Sequence, residues 1–127
     1  MKRKCVVPAG GLEFWSNEQK AALGDGMHDT NVGCHVAYEN DHFRIWTIHL
    51  GPGEWLHFHR HERPYYWTAL STGRARSRHD DGSVWEVEYE VGDTKYFDQI
   101  DKDNFFVHDV LNIGESPLVF STVEFLR

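Results

Sequence analysis

The chain has 127 residues, enough for one domain whose core folds unaided. A net charge of −7 with no concentrated basic stripe argues against a nucleic-acid partner, and no apolar run is long enough to cross a bilayer, so no membrane partner is expected. Aromatic residues make up 14% of the chain, a richness that suits a β-fold with an aromatic interior. Cys5 and Cys34 lack metal-finger spacing, and the basic start Met1-Lys2-Arg3-Lys4 has no apolar stretch behind it. The expectation is a reduced, cytoplasmic protein.

Residues 1–31 read as an irregular N-terminal arm that packs on the main domain or on a partner subunit. Within it, Ser16 to Leu23 has helical character, with Ser16 placed to cap the helix and Gly24 to end it. From residue 32 to residue 127 the pattern is short strands separated by turn chemistry. The strands expected are Val32 to Tyr38, His42 to Leu50, Glu54 to His61, Tyr65 to Ser71, Arg74 to His79, Ser83 to Tyr89, Thr94 to Phe97, Phe105 to Leu111 and Leu118 to Phe125. Many strands with hardly any helix predict an all-β sandwich or barrel. Around the turn Asp80-Asp81-Gly82, Arg74, Arg76 and Arg78 alternate on one side and Glu86, Glu88 and Glu90 on the other. A hairpin there sets cations across from carboxylates as a solvated charge ladder, in preference to an anion-binding row.

His57, His59 and His61 stand at every second position of the strand Glu54 to His61, so regular alternation projects all three imidazoles from one face. His108 lies far downstream in Phe105-Phe106-Val107-His108-Asp109. Histidines from two strands can converge on a divalent metal; equally, they can line a solvated barrel that binds nothing tightly. No Ser-His-Asp constellation, phosphate-cradling loop or dinucleotide fingerprint accompanies them.

Gly53, His59, His61, Tyr66 and Gly73 follow the intervals of the first cupin motif, which runs Gly, His-x-His, Glu, Gly. Gly92-Asp93 opens a segment similar to the second motif, and His108 to Asn112 closes it with the motif's His-to-Asn interval. The middle departs, because no Pro-x-Gly precedes His108 and Gln99 to Asn104 lengthens the connection. Over residues 36 to 125 the chain thus resembles a small single-domain cupin. The resemblance implies a single antiparallel β-barrel, the RmlC-like jelly roll, with His59, His61 and His108 as ligands of one metal ion. Tyr66 stands where the motif has its acidic ligand, and Glu62, adjacent to His61, should face the other way. Tyr66 is then a packing group, a hydrogen-bond donor to substrate or a phenolate ligand. His57 is an acid–base group, a supporting residue or an extra ligand, so His57 and Tyr66 are the catalytic candidates.

Neutral imidazoles suit iron, zinc, nickel, manganese and cobalt alike, so the cofactor expected is one divalent first-row transition metal. Three histidines leave coordination positions open, and without a carboxylate the centre should favour an anionic ligand. The resemblance therefore implies an enzyme acting on a small polar or anionic metabolite, of dioxygenase, isomerase or lyase type, with dioxygenase slightly ahead. The alternative is a non-catalytic cupin that binds a small molecule with or without metal. Cupins often pair through sheet edges, so a homodimer is expected.

Overall fold

The computed structural model describes all residues, Met1–Arg127. Its strands are β1 (Lys2–Val7), β2 (His35–Glu39), β3 (Phe43–Leu50), β4 (Trp55–His61), β5 (Tyr65–Ala69), β6 (Gly73–Arg78), β7 (Val84–Tyr89), β8 (Thr94–Phe97), β9 (Phe106–Asn112) and β10 (Leu118–Phe125). They form two five-stranded antiparallel sheets, ordered β1-β7-β6-β9-β4 and β2-β3-β10-β5-β8, which face each other as a jelly-roll sandwich. The one α-helix, α1 (Asn17–Gly26), is far too short to span a membrane.

Alternation explains the layers. Ile48, Leu50, Ala69, Leu118 and Phe120 face inward from the second sheet onto Ala75, Leu56 and Val110 of the first. Burying each large aliphatic or aromatic side chain contributes about 1.5–3 kcal/mol. Asn112 closes the end of this core: its amide donates to the Leu50 and Ser116 carbonyls, both at 2.9 Å, and its oxygen accepts from Gly114 N–H at 2.9 Å. This is the turn-organising role its sequence context suggests.

The outer face of the first sheet is covered by the N-terminal segment. Trp15 and Leu23 pack on Phe58, Val84 and Val107 there, so a second core lies outside the sandwich. Ser16 caps α1 with a reciprocal pair: its Oγ accepts from Gln19 N–H at 3.1 Å and its own N–H donates to Gln19 Oε1 at 2.8 Å. The helix runs two residues past Gly24. At its last residue, Gly26, an added Cβ would lie 2.3 Å from Phe58 Cβ, so only glycine permits this approach to β4.

The N-terminal segment also holds a strand that sequence patterning does not anticipate. β1 adds to the edge of the first sheet beside β7, with Lys2 opposite Glu88 and Lys4 opposite Glu86. On β7's other side β6 sets Arg74 opposite Glu88 and Arg76 opposite Glu86, so each carboxylate lies between two cations. The expected ladder forms at these two rungs only. Arg78 stands opposite Val84 and pairs instead with buried Asp109 at 2.6 Å, and that carboxylate also accepts from Trp55 Nε1 at 2.8 Å.

Candidate metal centre

β4 and β9 are hydrogen-bonded neighbours, and His59 sits directly opposite His108 in their register. His61, two residues along β4, shares the inward face. The three rings gather with ligand nitrogens all within 4.8 Å of one another. They line a cavity of about 50 Å³ between the sheets, together with Tyr65, Trp67 and Phe120.

Two of the rings are oriented by hydrogen bonds through Nδ1 that leave the lone pair on Nε2. His59 Nδ1–H donates to the His57 carbonyl at 2.8 Å. Ser77 Oγ gives its only proton to the Asp109 carbonyl at 2.6 Å and so accepts from His108 Nδ1–H at 3.1 Å. Such fixing of one ring nitrogen presents the other lone pair to a metal.

His61 completes the test of fit. Its Nε2 lies 3.1 Å from His108 Nε2, and its buried Nδ1 has no hydrogen-bond partner. If His61 donates through Nε2, a lone pair on Nδ1 is stranded; if the proton sits on Nδ1, two lone pairs face each other at Nε2. Metal–nitrogen bonds of about 2.0–2.1 Å set neighbouring ligand nitrogens roughly 3 Å apart, so a shared cation turns that opposition into coordination. The donor set fits a divalent transition ion.

Electrostatics agree. Burial holds His61 and His108 well below the ordinary imidazole range, and the neighbouring histidines lower them further. Burial also lowers His59, although its bond to the His57 carbonyl and the charges of Asp29 and Asp109 oppose the shift. All three are neutral near pH 7, the form that ligates.

The other two sequence candidates lie elsewhere. Between Leu56, opposite Val110, and His59, opposite His108, β4 carries one more residue than β9. This bulge interrupts alternation and turns His57 outward, where it is exposed and packs against Trp55 with ring centroids 3.9 Å apart and the planes tilted. Tyr66 also faces away from the cavity, packing against Tyr96 and Phe125. Its neighbour Tyr65 is the inward residue, stacked on His61 at 4.0 Å. Glu62 pairs with Arg60 at 3.1 Å rather than approaching the histidines. Glu124, the buried carboxylate nearest this end of the second sheet, accepts from Trp46 Nε1 at 3.1 Å and does not line the cavity.

Three further residues belong to the site. Ser77 supports His108, Tyr65 walls the cavity, and His79, just past the end of β6, lies beside the cluster with its ring centroid 5.2 Å from that of His108. Burial holds His79 below the usual range, against the pull of Asp81 and Asp80. A second cavity of about 200 Å³ adjoins the first and shares Tyr65, Trp67, Tyr89 and His108 with it.

Two facing antiparallel sheets with a histidine cluster between them make a fold similar to that of small cupin domains of known structure. A cupin domain from Bordetella pertussis Tohama I superposes with a TM-score of 0.62 at 22% identity, over 79% of this chain and 98% of that one. An uncharacterized conserved protein with a double-stranded β-helix domain from Klebsiella pneumoniae gives 0.57 at 23% identity, covering 81% and 85%. An RmlC-like cupin family protein with a double-stranded β-helix fold from Methanocaldococcus jannaschii gives 0.54 at 17%, covering 76% and 84%. No protein-family profile matches the sequence, and no curated protein does.

Proposed function

We propose that this chain is a metal-dependent enzyme acting on a small polar or anionic metabolite, with His59, His61 and His108 as the ligands of one divalent first-row ion. The observation that carries the reading is the donor set itself: three neutral imidazoles converge, His59 and His61 buried and His108 partly so, and two of the three are oriented through Nδ1. A divalent ion bound there supplies Lewis-acid stabilisation of negative charge developing on a substrate oxygen. The chain's own residues do the rest. Trp67 and Phe120 exclude water from the cavity, and Ser77 keeps His108 in one tautomer. Burial raises the Tyr65 phenol well above its ordinary range, so Tyr65 keeps its proton and meets substrate as an O–H donor.

One observation favours a second reading, a non-catalytic cupin that holds a small molecule. Neither cavity is lined by an Asp or Glu, so no carboxylate general base stands on their walls.

Elemental analysis of tag-free protein purified without added metal tests the proposal. We expect near-stoichiometric metal in the native chain and almost none in His108→Ala. Iron in the native chain points to oxygen chemistry; zinc or nickel points to lyase or isomerase chemistry. Full metal content in His108→Ala breaks the ligand assignment, and a metal-free native chain leaves the binding reading in its place.

A further inference from the structure

The larger cavity beside the histidines carries a charge pattern opposite to that of the whole chain. The sequence holds 20 Asp and Glu against 13 Lys and Arg, yet no carboxylate lines this cavity, whereas Arg3 and Lys95 both do. The two cations come from different sheets. Arg3 on β1 stands opposite Val87 of β7, and Lys95 on β8 stands opposite Trp67 of β5. Each lies on an aromatic shelf: the Arg3 guanidinium is 4.3 Å from the centroid of Trp85, and the Lys95 ammonium is 4.9 Å from that of Phe97.

Neither cation has a counter-ion. The ion pairs of the molecule involve Arg44, Arg60, Arg76, Arg78 and the amino terminus, and none involves Arg3 or Lys95. The amino group of Met1, the other cation on this wall, is taken up by Asp93 at 3.0 Å. Burial, and after it the charge of Arg3, pull Lys95 below the usual lysine range. Two like charges held toward one half-apolar space with no carboxylate between them are stabilised by an anion entering from solution.

We propose that Arg3 and Lys95 form the anion-binding end of the ligand site, and that the ligand is a small organic carboxylate with an apolar body. The carboxylate sits between the two cations. The body lies against Trp67, Trp85 and Phe97, and its far end is directed toward His108, which borders both cavities. Aromatic walls favour a carbon skeleton over a free inorganic anion. The strand β1 thereby contributes a ligand-binding residue as well as a sheet edge. This inference deepens the function proposed above and rests on it only for the metal at the far end.

Binding of benzoate, its neutral isostere benzamide and inorganic phosphate to the full chain, followed by quenching of tryptophan fluorescence, provides the test. Trp67 and Trp85 line the cavity and serve as reporters. Metal content is measured on the same samples, before and after chelation. We expect benzoate to bind at least about tenfold more tightly than benzamide, the scale of one charge-assisted contact. Arg3→Gln and Lys95→Gln should each weaken benzoate roughly tenfold while leaving benzamide binding and metal content as in the native chain. Arg3 is exposed and Lys95 half-buried, so both variants should fold.

Equal affinity for benzoate and benzamide, no measurable benzoate binding, or native benzoate affinity in the double variant overturns the proposal. Tighter binding of phosphate than of benzoate overturns the carboxylate assignment. A chain that prefers benzoate but holds no metal removes the metal reading and leaves this one standing. A metal-loaded chain indifferent to ligand charge does the reverse.

Discussion

With any metal removed by chelation, the protein should lose stability steeply as the medium becomes mildly acidic. His61 and His108 are held well below the ordinary imidazole value, and His59 and His79 are lowered too, all chiefly by burial. In the unfolded chain each returns to about 6.5. As pH falls through that value the unfolded state takes up protons that the folded state refuses, so stability present above it is lost below it. An imidazole wholly prevented from protonating removes about 1.4 kcal/mol between roughly pH 7.5 and roughly pH 5.5. His61 and His108 together account for about 3 kcal/mol, and His59 and His79 bring the loss to between about 3 and 5 kcal/mol. Set against a typical domain stability of about 5–15 kcal/mol, that loss is easily measured. Urea unfolding of chelated protein across this pH range gives the slope directly, and repeating it with His61→Gln isolates one residue. The variant should lose about 1.4 kcal/mol less than the native chain over the same range. A native loss below about 1 kcal/mol, or an identical slope in the variant, refutes the claim that these rings are buried and neutral.

Ser77→Ala removes the acceptor that orients His108, so a chelator-competition titration should show metal affinity reduced by about 10–100-fold, with no ligand removed. Unchanged affinity would mean that Ser77 does not position the ring. At the back of the first sheet, Gly26→Ala drives a methyl group into Phe58 and should destabilise the fold by about 1–3 kcal/mol in a denaturant titration. A variant of native stability would show that α1 is not held against β4.

The histidine trio was legible because it rests on two features that the fold leaves intact. His59 and His61 lie beyond the bulge, where alternation is regular, and His108 meets His59 across a single ladder. Sequence periodicity places His57 on the same face, because a bulge leaves no mark in an alternating His-x-His-x-His run. The available sign was Leu56-His57-Phe58: Leu56 is needed inside the sandwich and Phe58 outside, under Trp15. For the tyrosines the motif interval arrives at Tyr66, whereas β5 turns Tyr65 toward His61. β5 opens in the other sheet after residues 62–64, so alternation along β4 ends at His61 and does not carry across that connection.

β1 carries a different kind of signal. All but its last residue are exposed, so no hydrophobic period marks it. Its signal was complementary charge, since Lys2 and Lys4 repeat at the same spacing as Glu86 and Glu88 on β7. That pairing also determines where Arg3 goes. With Lys2 and Lys4 held on the outer face against carboxylates, the pleat turns the residue between them inward, over Trp85 and onto the wall of the larger cavity. A strand docked by surface charge therefore brings an unpaired cation to the mouth of the histidine site, on a face where the acidic chain has placed no carboxylate to meet it.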